Sequence, residues 1–247
     1  MTKRALILGA KSAIAEAVAR QLSESGWDLI LAARQPAALE PFAADVQLRS
    51  GQRVDLFTFD ALDTDAHAAL PEKLRAQCGN FQLVVLVFGY LGDQEKATSN
   101  TAEMERIMST NYTSAAVILS YLANYLQTLD QPCGIIGIAS VAGDRGRQSN
   151  YFYGSAKGAL ALFLQGLRNR LSPTQVHVLT VKPGFVDTPM TAEMEGLFLV
   201  APPQRVARDI LRAYEKRKNV LYTPWFWRYI MLVIRSIPER VFKKLKL

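Results

Sequence analysis

Apolar positions alternate along this chain between short unbroken runs and stretches of helical period. "RALILG" is a short run, and "SAIAEAVARQLSES" then repeats apolar residues at helical spacing and stops at Gly26. "DLILAAR" is the next run, followed by an alanine-rich helical stretch to about Ser50. "VDLFTF" precedes a helical segment through Cys78, and "QLVVLVFG" is almost unbroken. Residues 101–129 are long enough for helix, and "GIIGIAS" is apolar again. Residues 152–171 read as helix, "VHVLTVKPG" as strand and 203–218 as helix. Runs that are apolar throughout, not at every second position, predict strands buried on both faces. Strand–helix alternation predicts an α/β fold with a parallel, doubly wound sheet and right-handed crossovers.

No Pro/Gly/Ser linker divides the chain. The organisation predicted is a single Rossmann-type domain over residues 1–222 with an amphipathic helical tail over 223–247. Apolar residues make up 49% of the 247 positions, enough for a substantial core and too many for disorder. Cys78 and Cys133 stand far apart, which suits neither a disulfide framework nor a zinc site and fits a reducing, cytoplasmic setting. The basic-then-apolar start is too short for a targeting segment and runs into a glycine turn, so it reads as the first strand. No stretch is long enough and free enough of charge to span a bilayer. The net charge is +7, but residues 225–247 hold six Lys/Arg and one acid, Glu239. The tail therefore carries +5 and the rest only +2, which leaves no basic face for nucleic acid.

Ligands of such sheets bind beyond the carboxyl ends of the strands, so the residues after each run are informative. After the first come Gly9, Lys11, Ser12, Ala13 and Ile14, either a plain strand–helix turn or a loop whose N–H groups meet a pyrophosphate. After the second come Ala33 and Arg34, where a site selective for NAD would favour an acid. A cation there, assisted by Lys11, accommodates a 2′-phosphate, so NADP(H) is favoured and NAD(H) stays possible. After the third come Asp60 and Ala61 in "FDALD"; Asp60 could accept from an adenine amino group or cap the next helix. Gly89, after the fourth, permits close approach of backbone.

The fifth run ends at Ser140, and "YFYGSAK" follows at Tyr151–Lys157. Tyr153 and Lys157 are four apart and share one helical face, whereas Tyr151 has Ser155 at that spacing. An ordinary tyrosine, titrating near pH 10, is a poor acid–base group at neutral pH. A nearby ammonium and a cationic nicotinamide favour its phenolate and lower its pKa. Tyr153 is thus a candidate to move the proton of a carbonyl or alcohol oxygen, with Ser140 bonded to the same oxygen.

Over residues 3–222 the chain resembles the short-chain dehydrogenase/reductase family. The matching motifs are "GAKSAIA", "FDALD", "LVFG", "MSTNYT", "IASVAG", "YGSAK" and "KPGFVDTPM". The resemblance implies that Asn111 is a fourth catalytic residue, holding a water that links Lys157 to solvent. It also implies that Pro183, Gly184, Val186 and Thr188 flank the nicotinamide and pyrophosphate. Two motifs depart from the pattern: Ala13 and Ala15 replace glycines, and "LVFG" lacks both asparagines usual at that point. Within the family, "GAKSAIAEA", "FGYLGDQ" and the tail resemble the branch with the ketoreductase subunit of decaprenylphosphoryl-ribose 2-epimerase. That branch implies a lipid-linked keto sugar as substrate, and the family implies a homo-oligomer, dimer or tetramer, formed through the helices of 101–129 and 152–171.

Between Thr188 and Pro202, Met190, Met194, Leu197 and Phe198 offer flexible apolar surface to a substrate, or pack on the body. In the tail, residues 225–235 are apolar almost all round, with Arg228 and Arg235 on one helical face. "SIPE" reads as a capping box with Ser236 as N-cap and Glu239 reaching back. A short basic helix follows, with Val241, Phe242 and Leu245 opposite Lys243, Lys244 and Lys246. This composition suits a peripheral contact with the inner face of a membrane through 225–247, or packing against another subunit. No His/Cys/carboxylate group has metal-ligand spacing. The sequence points to an NAD(P)(H)-dependent enzyme acting on a small-molecule or lipid-linked ketone. Two rivals are a soluble ketone reductase that oligomerises through its tail and a non-catalytic dinucleotide sensor.

Overall fold

The computed structural model describes residues 3–192 and 199–245. Among these, seven strands form one parallel sheet: β1 (Lys3–Leu8), β2 (Trp27–Ala33), β3 (Val54–Thr58), β4 (Leu83–Leu86), β5 (Cys133–Ile138), β6 (Val176–Pro183) and β7 (Val220–Thr223). Their order is β3-β2-β1-β4-β5-β6-β7, so the winding reverses between β1 and β4. Helices α1 (Ala13–Glu24), α2 (Glu40–Ser50) and α8 (Pro203–Glu215) cover one face of the sheet. Helices α3 (Leu70–Cys78), α6 (Ser114–Leu126) and α7 (Tyr151–Leu171) cover the other. Short α4 (Gln94–Ala97) and α5 (Thr101–Met108) lie between β4 and α6.

The unbroken apolar runs have the cause expected. Ala5 and Ile7 of β1 enter the core under α1 and α8, while Leu6 and Leu8 enter the core under α6 and α7. Residues of the central strands thus have a buried side whichever way they point. Cys78 and Cys133 are buried as free thiols, and burial pushes Cys133 up to about 11.

Three features differ from the sequence expectation. The helix expected over 101–129 runs from Thr101 to Leu126 and widens at Ser109–Thr113 into one π turn. There Asn111 Nδ2 donates to the Ile107 carbonyl at 2.9 Å, the acceptor an α-helical Asn111 N–H would use, and the ladder opens. Strand β7 is short, and Val220 is half exposed at the sheet edge, so no hydrophobic run announced it. The tail forms α9 (Trp227–Ser236) and α10 (Glu239–Phe242), but "SIPE" is not a capping box. Ser236 ends α9 and its hydroxyl donates to the Leu232 carbonyl at 2.8 Å. Ile237, before Pro238, is extended as proline demands of its neighbour, and α10 starts two residues late for Ser236 to cap it. Glu239 pairs instead with Arg145 at 2.7 Å.

The tail folds back on the body. Trp227 and Met231 are buried in a small cluster with Val141, flanked by Phe185, Tyr222, Phe226, Ile230 and Ile234. Arg145 fastens it by donating to the Arg235 carbonyl and to Glu239 and by lying 4.2 Å over the Phe242 ring. Met194, Leu197, Phe198 and Lys246 lie outside the described residues.

Candidate active site

A cleft of about 710 Å³ runs across the carboxyl ends of the strands, over the switch point. Its near end is built by the β1–α1 turn. Gly9 has φ +88°, and a Cβ there would lie 2.6 Å from the Phe88 backbone nitrogen, so only glycine brings β1 and the β4 loop this close. Ser12 precedes α1 in extended conformation and makes no side-chain cap, which leaves its hydroxyl and the first-turn N–H groups of Ala13 and Ile14 beside the cleft. Ala15 is fully buried against the sheet, so alanine serves the close helix–strand packing that glycine serves elsewhere.

Lys11 and Arg34 line the same end. Asp60 and Ala61 line it beyond β3. Asp60 accepts from Leu62 N at 3.0 Å, while the next helical turn is capped by Asp63, which removes helix capping as the reason for Asp60. These residues suit a dinucleotide: a glycine turn with no room for Cβ, a helix N-terminus, two cations and one carboxylate.

The far end holds the candidate reactive groups. Ser140, at the end of β5, has its Oγ 3.1 Å from Ala142 N, from which it accepts, and it shares a hydrogen bond with the Tyr153 hydroxyl. Lys157 is 3% exposed; its ammonium donates to the Ile138 carbonyl at 3.0 Å and lies 5.8 Å from the Tyr153 ring centroid. Burial drives both groups toward neutrality, Tyr153 up to about 12, with the Ser140 bond opposing, and Lys157 down to about 8. A nearby ammonium together with a cationic nicotinamide is expected to lower the Tyr153 pKa; among the protein's own groups burial dominates and raises it. Part of the Tyr153 side chain still opens on the cleft.

Gly89 lets β4 approach this group, since a Cβ there would stand 3.1 Å from Asn111 Oδ1 and 3.3 Å from Lys157 Nζ. Asn111 is buried behind the wall and clamps the β4 loop, accepting from Tyr90 N at 3.1 Å and donating to the Tyr90 carbonyl at 2.6 Å. Pro183, Gly184, Val186 and Thr188 line the opposite wall beyond β6, with Met190 at its rim. Tyr151 stays outside, against the Phe152 ring at 4.7 Å. His177 is buried in β6 and its Nε2 bonds the Lys218 carbonyl.

Sequence reasoning missed several lining residues: Tyr90, Arg106, Arg147, Asn150, Phe185 and Trp227. Trp227 comes from the tail, and its indole covers Gly184 so closely that a Cβ there would overlap it. Nothing near residue 227 in the chain signals this. Arg147 and Asn150 lie between two recognised motifs and could have been found by asking what a cation does in that segment.

Several comparisons bear on this geometry. The chain matches the family model for short chain dehydrogenase over residues 3–196. It is 36% identical over 240 residues to an uncharacterized oxidoreductase of Mycobacterium tuberculosis, covering 97% of this chain and 96% of that protein. An uncharacterized oxidoreductase of Streptomyces coelicolor is 36% identical over 242 residues, with 97% and 94% covered. Among solved structures, a short-chain dehydrogenase from Sphingobium yanoikuyae in complex with NADPH superposes with TM-score 0.83 at 23% identity, covering 96% and 97% of the two chains. A 3-oxoacyl-[acyl-carrier protein] reductase from Brucella melitensis in complex with NAD gives 0.81 at 20% identity, covering 93% and 98%. The structural likeness supports the fold; the sequence matches carry the assignment. The chain belongs to the short-chain dehydrogenase family and is an NAD(P)-dependent oxidoreductase.

Proposed function

We propose that this enzyme interconverts a ketone and a secondary alcohol, with NADP(H) preferred over NAD(H). The observation that carries the reading is the meeting of Ser140, Tyr153 and Lys157 at one end of a cleft whose other end suits a dinucleotide. The nicotinamide, when bound, supplies or accepts the hydride. In reduction the Tyr153 hydroxyl gives its proton to the carbonyl oxygen, and in oxidation it takes the proton from the alcohol. Ser140 donates to that same oxygen and holds it in reach. Lys157, as a buried ammonium, favours the phenolate that remains and holds the nicotinamide ribose. Asn111 fixes the β4 loop and, through water, links Lys157 to solvent. Gly9, Ser12, Ala13 and Ile14 receive the pyrophosphate; Lys11 and Arg34 receive the 2′-phosphate. Asp60 and Ala61 border the adenine. Gly89, Pro183, Gly184, Val186 and Thr188 border the nicotinamide half.

The test is NADPH consumption over a broad ketone panel. Tyr153→Phe should lose roughly 10²–10⁴-fold in kcat. A variant with full turnover sinks the mechanism, and a folded wild type that consumes no NADPH with any ketone revives the dinucleotide-sensor reading.

The substrate we infer is amphiphilic, a lipid-linked keto sugar or a similar ketone, met at the inner face of a membrane. Its support is the tail. Trp225, just before α9, and Tyr229, Leu232 and Val233 on it are all more than half exposed, and Val241 of α10 and Leu245 beyond it are exposed as well. Arg228, Arg235, Arg240, Lys243 and Lys244 surround them. A tail of charge +5 repels its own copy and attracts anionic lipid, which favours a bilayer over tail-to-tail pairing. Homo-oligomerisation is then assigned to α5–α6 and α7, where Leu162 is 69% exposed. Light scattering that gives a dimer or tetramer, broken by Leu162→Glu, supports that assignment, and a monomer removes it.

A further inference from the structure

Among the described residues, five cations line the cleft, Lys11, Arg34, Arg106, Arg147 and Lys157, against one carboxylate, Asp60. Four have employment. Lys11 and Arg34 lie at the dinucleotide end, Lys157 beside Tyr153, and Arg106 is exposed on the Tyr90 ring at 4.2 Å. Arg147 has none. It sits in the segment joining Ser140 to Tyr153, and its Nε is shut off from solvent with no hydrogen-bond partner. No ion pair among the described residues involves it. Desolvation pulls its affinity for its proton down, the mark of a cation without a counter-ion. Asn150 lines the cleft beside it. Although Asn150 precedes α7, its side chain makes no cap, and its buried Oδ1 also lacks a partner. An amide turned by half a rotation presents its NH₂ at that place instead.

We propose that Arg147 and Asn150 form an oxyanion subsite in the substrate half of the cleft, so that the ketone or alcohol carries a phosphate or carboxylate group. The inference rests on the ketone–alcohol reading for the word substrate, but the subsite stands on its own geometry. A guanidinium fork pairs with either oxyanion through two parallel N–H···O bonds. The anion supplies the partner that the buried Nε lacks, which lowers the cost of leaving a cation desolvated. Because the subsite lies on the segment that carries Ser140 and leads into Tyr153, binding there fixes the carbonyl against both hydroxyls.

The first arm uses no turnover. The full chain is saturated with NADPH, which fills the cofactor's own phosphate sites, and is titrated calorimetrically with phenyl phosphate and with its methyl diester. Saturable binding is expected, about tenfold or more weaker in Arg147→Gln and intermediate in Arg147→Lys. The preferred ester tells a free phosphate from the phosphodiester of a lipid-linked group. Absence of binding to wild type, or equal binding to folded Arg147→Gln, overturns the subsite. The second arm compares kcat/KM for 4-acetylphenyl phosphate and 4-acetylbenzoate with that for acetophenone. Wild type should favour an anionic ketone by about tenfold or more, and the ratio should collapse toward one in Arg147→Gln. An unchanged ratio overturns the substrate class. If no ketone reacts, the ketone–alcohol reading fails and the phenyl phosphate arm still decides the subsite.

Discussion

Lys157 shows how a position proposed for catalysis opposes stability. Its folded pKa, about 8, lies below the ordinary 10.5 because burial disfavours the ammonium. The penalty is full below pH 8, since both states are then protonated, and is relieved as pH rises toward 10.5, where the unfolded chain binds the extra proton. The shift corresponds to on the order of 3 kcal/mol at most. Wild type should therefore gain stability, relative to Lys157→Met, between pH 8 and 10. Urea midpoints across that window measure it, and parallel curves would show that no ammonium is buried there. Tyr153 acts oppositely, being raised, but only above its unfolded pKa near 10, outside the window. Gly9→Ala is a second residue-scale case: positive φ and the Phe88 backbone leave no place for a methyl group. A loss of about 1–3 kcal/mol is expected by denaturant unfolding, and an unchanged midpoint would mean the turn yields. The Tyr153–Lys157 pair was legible in the sequence because i, i+4 neighbours meet on any helix. The Asn111 clamp was not, because Tyr90 is 21 residues away and only folding brings the two together.

At the scale of elements, α9 carries apolar side chains on both its buried and its exposed side. Trp227 and Met231 face the body and the outward residues face solvent. A sequence apolar all round could not say which side packs, and this settles how the tail should be tested. Ending the chain at Thr223 would strip Trp227 from the cleft wall and uncover Gly184. Substituting Trp225→Ser together with Leu232→Ser touches the outer side alone. This double variant should remain folded and lose co-sedimentation with anionic vesicles, while wild type pellets with them and less with neutral ones. Equal pelleting of the two proteins would discard the membrane face. The misread capping box has a similar lesson: Ser236 had two possible partners, and the preceding turn's carbonyl was nearer than the next helix.

The whole molecule decides cofactor choice, because the dinucleotide end is assembled from the ends of β1, β2, β3 and β4. Arg34→Ala should lower kcat/KM with NADPH by about tenfold or more, the worth of one charged hydrogen bond, and leave NADH little changed. Steady-state kinetics with both cofactors check this, and an unchanged NADPH/NADH ratio would show that no cation reads the 2′-phosphate. No helix among the described residues is long and apolar enough to cross a membrane.

By itself the sequence determined the doubly wound sheet, the turns after each strand and the Tyr153–Lys157 pair. Each of these is written in local period and spacing, which physics reads within a few residues. The tertiary structure decided what joins distant segments. It brought Asn111 under the β4 loop, laid Trp227 across Gly184, tied Arg145 to the tail and left Arg147 facing a cleft without a counter-ion among the described residues. Those outcomes depend on which surfaces meet when helices close over the sheet, and no local pattern encodes the meeting.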